Sequence, residues 1–358
     1  MNYFSICILY RKMITSIFIG DPHFQVNNIP EVNIFIEKIT KLAQERKPDF
    51  IVIGGDLLHT HERIHSIALN KAYELVDNMR KISHTYVLVG NHDAYNNQIF
   101  LNDNHWMGGM KEWNNVTIID RVVNTHINDE KFIFVPYVPP GRFEEALNTT
   151  KNWKDAACIF AHQEFSGCKM GAIISVEGDK WSENYPEVIS GHIHSRQIPQ
   201  KNIYYTGSAM QHAFGESEKN IIACLTFNID GTYDREEVDL QLPRKKIVYT
   251  DVGGLSDYNI PKTEDKIKVT VSGEYEEFKA LKKTKKYKSL VKKGIKVVFK
   301  PKKLDIKIKE EKMNNLEGTD FKAILNSIVN QEANPYLSQV FELIINGKET
   351  KTDDILFL

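Results

Sequence analysis

Five short segments of the sequence place histidine, aspartate and asparagine side chains directly after runs of apolar residues. Imidazole nitrogens mixed with carboxylate and amide oxygens favour Mn, Fe or Zn over Ca or a thiolate-bound metal. The four cysteines form no C-x-x-C pair, so a structural zinc knot is not expected. The five segments are Gly20-Asp21-Pro22-His23, Gly54-Gly55-Asp56-Leu57-Leu58-His59, Gly90-Asn91-His92-Asp93, Ala161-His162 and Gly191-His192-Ile193-His194.

The spacing inside these segments predicts how their side chains share metals. In an extended backbone, residues i and i+2 point to the same side. Asp21 and His23 can then chelate one ion, while His192 and His194 can reach two adjacent ions. Asp56 offers a carboxylate that can bridge both. Two metals ~3.5–4 Å apart are the standard arrangement for in-line attack on a phosphorus ester.

The joint pattern is more specific than any single segment. A lone Gly-Asn-His or His-x-His is usually a loop or a structural histidine. Here all five segments occur in order, each after an apolar run, and loops at strand ends are where α/β sheets gather their sites. The sequence therefore predicts a dinuclear metal site, to which Asn91 adds an amide oxygen and His162 an imidazole.

The elements that must position these residues are short apolar strands and two amphipathic helices, predicted at residues 30–46 and 65–81. The order β-α-β-α-β, followed mostly by strands, predicts an α/β sandwich and not a strict doubly wound sheet. The predicted strands span residues 15–20, 50–54, 86–90, 116–119, 131–136, 157–161, 188–191, 203–206 and 221–227.

The composition is that of a folded globular chain, with 358 residues, 42% of them hydrophobic, and a net charge of −1. No apolar run reaches the ~18–20 residues of a membrane helix, so no membrane partner is expected. The charge is uneven, because residues 261–312 hold 18 lysines and 8 acidic groups. The stretch from Lys279 to Lys303 has 12 lysines and no acid, a pattern that attracts phosphate backbones. A solvated lysine face is the alternative interpretation.

These composition shifts predict four segments. The first is interpreted as an extension, or as a mis-assigned start that precedes the true one at Met13, and not as a signal peptide, because its charge follows its short apolar stretch. The last holds two amphipathic helices that cannot bury their apolar faces in isolation, so they dock on the core or on a partner. The segments are residues 1–12, a metal-bearing domain at 13–245, a lysine-rich capping unit at 246–312, and a linker with helical tail at 313–358.

The capping unit is predicted to contain two strands, at residues 266–271 and 296–299, around a single lysine-rich helix at 274–292. The absence of a disulfide framework and of a signal peptide favours a reducing compartment. We therefore expect a cytoplasmic protein, or one located wherever the genome is replicated, and not a secreted one.

The series D-x-H, G-D, G-N-H-D, H and G-H-x-H resembles the signature of calcineurin-like metallophosphoesterases, over about residues 13–244. The resemblance implies a four-layer α/β/β/α sandwich with two divalent ions, most simply Mn, at one end. Carried over by motif, the first metal would be held by Asp21, His23, Asp56 and His194, and the second by Asp56, Asn91, His162 and His192.

The same resemblance implies roles for two neighbouring residues. His92 matches the position that protonates the leaving oxygen or stabilises the pentavalent phosphorus, and Asp93 would orient it. Protein phosphatases of the superfamily carry arginines after G-D and before G-N-H, whereas Val89 stands at the second place here. A dianionic monoester without an arginine clamp is a poor fit, so a diester is favoured.

His59, three residues past Asp56, resembles the histidine that helps place the DNA end in SbcD-type repair nucleases. Residues 205–210 and 214–216 also resemble that group, and the domain order is similar. The resemblance implies the exo- and endonuclease subunit of an SbcCD-like recombination and repair complex, acting on duplex ends and single strands of DNA. It further implies a homodimer whose C-terminal helices dock on an SMC-like ABC ATPase of the SbcC type.

Two other functions stay open. A metal-dependent hydrolase of small phosphodiesters, such as cyclic nucleotides, would not need the capping unit or the tail. A scaffold that kept the fold and lost catalysis is disfavoured, because none of the seven expected ligands is replaced. Among the remaining histidines, His61 and His212 are expected nearest the site.

Overall fold

The computed structural model describes residues 13–60, 63–98, 100–217, 219–228, 230–259, 263–301, 321–332, 337–338 and 340–341. The predicted extension at 1–12, the linker at 313–320, most of the second tail helix and His61 lie outside these ranges. The chain divides into two compact units, Met1–Lys300 and Pro301–Leu358. None of the described helices is long and apolar enough to span a bilayer.

The described residues form strands and helices at nearly all the predicted positions, with boundaries shifted by one or two residues. The strands are β1 (Ile14–Ile19), β2 (Phe50–Ile53), β3 (His84–Leu88), β4 (Val116–Ile119), β5 (Val123–Ile127), β6 (Glu130–Val135), β7 (Cys158–His162), β8 (Lys169–Met170), β9 (Ile173–Ile174), β10 (Val188–Gly191), β11 (Gln197–Gln200), β12 (Ile203–Tyr205), β13 (Ile222–Phe227), β14 (Tyr233–Val238), β15 (Lys245–Asp251), β16 (Lys266–Gly273) and β17 (Lys296–Pro301). The α-helices are α1 (Ile29–Arg46), α2 (Ser66–Arg80), α3 (Phe143–Leu147), α4 (Gly254–Asp257), α5 (Tyr275–Leu281), α6 (Lys285–Lys292) and α7 (Phe321–Gln331).

Two six-stranded sheets form the body of the larger unit, in the orders β14-β13-β1-β2-β3-β4 and β11-β12-β10-β7-β6-β5. In the first sheet, β1 to β4 are parallel to one another. β13 pairs antiparallel with β1, and β14 pairs antiparallel with β13 at the edge of the sheet. In the second sheet, β12, β10, β7 and β6 are parallel. The carboxyl ends of the strands that carry the metal-type segments therefore lie at a common edge of each sheet.

Alternation of apolar side chains builds three cores around the two sheets. In β2, Phe50 and Val52 face the other sheet, whereas Ile51 and Ile53 face α1 and α2. The second sheet alternates in the same way, with Phe160 in the core between the sheets and its neighbours against α3 and two tryptophans. Both faces of both sheets are thus covered, and the result is the predicted four-layer α/β/β/α sandwich.

A third sheet, in the order β15-β16-β17, follows the sandwich and has its own small core with α5 and α6. β15 and β16 are parallel. The prediction of one helix at 274–292 is wrong, because α5 ends at Leu281 and α6 begins at Lys285. The Thr284 hydroxyl accepts a hydrogen bond from the Tyr287 N–H at 3.2 Å, so Thr284 is the N-cap of a new helix.

Candidate metal centre

The five segments singled out in the sequence converge at the carboxyl ends of five strands. Asp21 and His23 follow β1, Asp56 follows β2, and Asn91 follows β3, three neighbouring strands of the first sheet. In the second sheet, His162 ends β7, and the segment with His192 and His194 follows the neighbouring β10. All seven predicted ligands therefore meet between the two sheets.

One group of ligands forms around His23. Its Nε2 lies 2.9 Å from Nε2 of His194 and 3.5 Å from Oδ2 of Asp56. The carboxylate of Asp21 belongs to the same group, because its ligand atom and those of His23 and Asp56 lie within 4.8 Å of one another. These are the four residues that the motif resemblance assigns to a first metal.

A second group forms around Asn91. Its Oδ1 lies 3.0 Å from Nε2 of His162 and 2.9 Å from Nδ1 of His192. Asp56 Oδ2 lies 3.4 Å from the same His162 nitrogen. Oδ2 of Asp56 thus faces both groups, as a bridging carboxylate must, while its Oδ1 accepts a hydrogen bond from the His92 N–H at 2.8 Å.

The backbone reaches this convergence by turns and not by extended segments. Asp21, His23, Asp56 and His192 have φ values of 38°, 44°, 49° and 78°, a left-handed region that non-glycine residues seldom adopt. The side chains of Asp21 and His23 do meet, as predicted. The expected reason, an extended backbone that points residues i and i+2 to the same side, is wrong. Such strained conformations persist where surrounding contacts enforce them, and they concentrate at functional sites.

Glycine at two positions allows the loops to approach. A Cβ atom on Gly90 would collide with the Asp56 carboxylate and with its backbone nitrogen. A Cβ on Gly55, where φ is 101°, would collide with Nδ1 of His162. The glycines of the G-D and G-N-H-D motifs are thus required by the close contact between Asp56 and its neighbours.

Burial and mutual charge set the protonation of the site. Burial alone would raise the pKa of Asp56, but His162 and His23 outweigh it and hold that pKa well below its ordinary value. Burial opposes protonation of His162, but Asp56 outweighs it and raises the pKa of His162 to about 9. Burial lowers the pKa of His192 to about 3 and raises that of Asp21 to about 6.

The donor set fits divalent cations. Oδ2 of Asp21 and Nδ1 of His23 are buried and have no hydrogen-bond partner among the described residues. The facing Nε2 atoms of His23 and His194 repel each other unless a proton or a cation lies between them. Three sets of ligand atoms, Asp21-His23-Asp56, Asp56-His162-His192 and His23-His59-His92, are each close enough to share one ion, and the first two consist of predicted ligands only.

His92 and His59 lie beside the first group without belonging to the predicted ligands. Their rings stack with centroids 5.7 Å apart, and the His92 ring meets that of His23 edge-on at 4.9 Å. Nδ1 of His92 lies 2.7 Å from the carbonyl oxygen of His59. That contact makes Nδ1 the donor and leaves Nε2 as the nitrogen that can act on a substrate.

Asp93 does not orient His92 as expected. Its carboxylate instead accepts hydrogen bonds from the backbone N–H groups of Leu57, Leu58 and Gly90, at 3.4, 3.4 and 3.1 Å, and from the Trp106 indole at 3.0 Å. Burial, reinforced by the charge of Asp56, raises the pKa of Asp93 to about 7. The residue therefore ties the loop after β2 to the loop after β3, and the carbonyl of His59 orients the imidazole of His92.

Two residues at the site had no role assigned from sequence. His212, expected only to lie near the site, places Nε2 2.9 Å from the carbonyl oxygen of Asp21. Glu216 places Oε1 3.5 Å from Nδ1 of His194, and this contact outweighs burial and lowers the pKa of Glu216 to about 2. The sequence signals were the family resemblance of residues 214–216, the expectation that His212 lies near the site, and the position of both residues after β12.

A family model for calcineurin-like phosphoesterases matches residues 14–230. The chain is similar to "Putative phosphoesterase 244L" of Invertebrate iridescent virus 6, with 52% identity over 276 residues, 75% of this chain and 97% of that protein. It is also similar to "Putative phosphoesterase 078R" of Invertebrate iridescent virus 3, with 48% identity over 296 residues, 81% of this chain and 85% of that protein. The solved structure of GAP50, the anchor in the inner membrane complex of Plasmodium, aligns with a TM-score of 0.41 and 14% identity, over 64% of this chain and 85% of that chain.

Proposed function

Because this chain belongs to the calcineurin-like phosphoesterase family, and is thus a phosphoester hydrolase, we propose that its substrate is the phosphodiester backbone of DNA. The proposal assigns it two divalent ions, most simply Mn, and an exo- and endonuclease role in an SbcCD-like recombination and repair complex. The observation that carries the choice of DNA is a lysine-bearing sheet within the same compact unit as the metal centre.

That lysine-bearing sheet, defined as β15 to β17 with α5 and α6, buries Phe278, Leu281 and Leu290 and turns most of its lysines outward. α6 contains no acidic residue, so its lysines form an uncompensated row of positive charge. An uncompensated row of this kind attracts a polyanion. The exposed lysines are Lys246, Lys279, Lys282, Lys283, Lys285, Lys288, Lys292, Lys293, Lys296 and Lys300.

The chain's own residues divide the work of hydrolysis. Asp21, His23, Asp56 and His194 would hold one ion, and Asn91, His162 and His192 would hold the second together with Asp56. When bound, the ions would supply charge stabilisation on phosphoryl oxygens and activation of the attacking water. His92, in its doubly protonated form with Nδ1–H donated to the His59 carbonyl, can deliver the Nε2 proton to the leaving oxygen and becomes a neutral imidazole.

Features of the surroundings support a diester over a monoester. Val89 is 4% exposed and stands where protein phosphatases carry an arginine, so no guanidinium at that position can balance the second charge of a monoester. His59 is half-buried beside His92, where it can contact the nucleotide on the leaving side. These features favour a singly charged ester with nucleic acid on both sides.

The partner assignments remain part of the proposal. α7 belongs to the smaller unit and carries Ile328, which is 48% exposed, next to the buried Val329. An amphipathic helix of this kind suits docking on a coiled-coil base such as that of an SMC-like ATPase. A homodimer is proposed on the family resemblance alone.

The test is cleavage by the purified full chain of end-labelled linear duplex DNA and of bis-p-nitrophenyl phosphate, first with Mn²⁺ and then with Mg²⁺. We expect Mn²⁺-dependent loss of the DNA label, and no loss with the His92→Ala variant. Turnover of the small diester with DNA intact, also after addition of the candidate ATPase, would instead identify a hydrolase of small phosphodiesters.

A further inference from the structure

The segment from Gln211 to Glu216 follows β12 and contacts the first group of metal ligands from outside. It contributes no residue to the seven predicted ligands. We infer that His212 and Glu216 are positioning residues that brace the first metal group, His212 through the main chain of Asp21 and Glu216 through the ring of His194. The inference rests on the metal-binding part of the proposed function and is independent of the DNA substrate.

Glu216 faces the imidazole that must turn toward the metal. Its Oε1 lies 3.5 Å from Nδ1 of His194, on the side of the ring opposite to Nε2, which faces His23. A carboxylate at the second nitrogen of a ligand histidine fixes the tautomer and the ring orientation and makes the ligand more basic. Glu216 is placed to do this for His194.

His212 supports the main chain at the strained residue. Its Nε2 lies 2.9 Å from the carbonyl oxygen of Asp21, whose φ is 38°. Because a carbonyl can only accept, Nε2 carries the proton and donates. The His212 ring also packs edge-on against His23 and His194, with centroid distances of 4.8 and 5.3 Å. The contact holds the loop after β1 in the conformation that presents Asp21 and His23.

One carboxylate connects the two supports. Oε2 of Glu216 accepts the backbone N–H groups of His212 and Ala213, at 2.7 and 2.9 Å. Glu216 therefore fixes both the ring of His194 and the backbone from which His212 reaches Asp21. The other end of the segment is anchored to β15. There, Oε1 of Gln211 accepts a hydrogen bond from the N–H of Lys245, the first residue of β15, at 2.6 Å.

The first test measures Mn²⁺ affinity of the EDTA-stripped full chain by isothermal titration calorimetry. In Glu216→Gln, one of the two binding events is expected to weaken by about 10- to 100-fold, the usual cost of losing such a carboxylate, while the other stays within about twofold. Glu216→Asp, which keeps the charge at a shorter reach, is expected to fall between Glu216→Gln and the wild type. Glu183→Gln removes an exposed carboxylate paired with Lys201 and is the matched control.

The second test compares His212→Phe with His212→Gln. Phenylalanine keeps the ring and removes the donor, whereas glutamine keeps an N–H donor on a side chain of similar reach. We expect the phenylalanine variant to weaken the same binding event and the glutamine variant to recover most of the affinity. Equal losses in both variants would mean that His212 only fills space, and that part of the inference would be wrong.

Thermal unfolding in EDTA separates positioning from folding. The inference is overturned if Glu216→Gln unfolds like the wild type and also binds both ions with wild-type affinity. If Glu216→Gln does not fold, the pair of His212 variants decides. If the wild type binds two ions but leaves DNA intact, the proposed substrate is wrong, whereas the positioning roles of His212 and Glu216 are unaffected.

Discussion

The metal centre and the lysine-bearing sheet lie in one compact unit but are built in opposite ways. The ligands of the metal centre are buried or half-buried, come from four loops and the end of one strand, and include four residues with positive φ. The lysines are exposed and come from one continuous stretch of regular, capped helices and strands. The first region depends on tertiary geometry and the second on charge density.

That difference teaches where each region can tolerate change. A ligand displaced by one ångström no longer shares its ion, since metal sites demand defined distances. A displaced lysine still lies near a phosphate, because Coulomb attraction in water falls off gradually. Substitutions should therefore act steeply at the metal centre and gradually on the lysine-bearing sheet.

The largest effect is expected from Asp56→Asn. The amide loses the negative charge that faces both ligand groups, so bound Mn²⁺, measured by elemental analysis after desalting, should fall below two ions per chain. Hydrolysis of bis-p-nitrophenyl phosphate should fall by at least about 10³-fold, since metal catalysis supplies several kcal/mol. Asp155→Asn, at an exposed aspartate, is the control. Full retention of both ions would contradict the bridging role.

The second-largest expected effect is a loss of turnover without a loss of bound metal. His92→Ala should keep both ions and lose about 10²- to 10⁴-fold in kcat, because the variant lacks the group that protonates the leaving oxygen. Elemental analysis and steady-state kinetics on the same sample give both numbers. Loss of an ion from this variant would show that His92 is a ligand and that its assigned role is wrong.

A smaller effect is expected on the lysine-bearing sheet. The triple change Lys282→Gln, Lys285→Gln and Lys292→Gln should weaken duplex DNA binding about 10-fold or more at low salt. The slope of log affinity against log salt should fall by about 0.9 for each phosphate that the variant no longer neutralises. Fluorescence anisotropy at several salt concentrations measures both quantities.

The matched control replaces three exposed lysines of the sandwich with glutamine, namely Lys41, Lys151 and Lys201. Turnover of bis-p-nitrophenyl phosphate should be unchanged in both triple variants, because a small diester bound at the metal centre does not contact the lysines. Equal loss of DNA affinity in both would show that only net charge matters, and would remove the special role of the lysine-bearing sheet.

The smallest effect is expected where the sandwich meets the lysine-bearing sheet. Glu31 of α1 is 5% exposed and forms an ion pair with the half-exposed Lys266 of β16. Lys266→Met leaves a buried carboxylate without that partner and should cost about 1–3 kcal/mol, whereas Glu31→Gln leaves only an exposed ammonium and should cost less. Thermal unfolding of the two variants in EDTA tests the order, and equal losses would contradict it.

The strands that were predicted most accurately are those whose apolar pattern is local. The strands with buried apolar runs, such as β4 and β10, were predicted with their observed bounds. β14 was missed because its sequence, YDREEV, carries mostly charged residues on an exposed edge. The prediction of a single lysine-rich helix was wrong because Thr284 caps a second helix within that stretch. Apolar periodicity does not reveal such a cap.

The functional contacts that sequence reasoning missed join residues far apart in the chain. Glu216 meets His194 across 22 positions, and Trp106 meets Asp93 after a loop with no periodic signal. Adjacency in sequence suggested that Asp93 orients His92, but the Asp93 carboxylate turns to the backbone of another loop. Neighbouring residues in a tight turn often point to different sides, so adjacency alone does not predict a pair.

The sequence by itself determined the chemistry available to this protein: which residues can bind cations, that each follows a strand, and that a long stretch carries only positive charge. Only the tertiary structure decided which ligands share an ion, because that depends on strand order and on left-handed turns that bring Asp21, Asp56 and His192 together. It also placed His212 against the main chain of Asp21 and Glu216 beside the ring of His194. Such contacts depend on the packing of the whole sandwich, and no local pattern of residues encodes them.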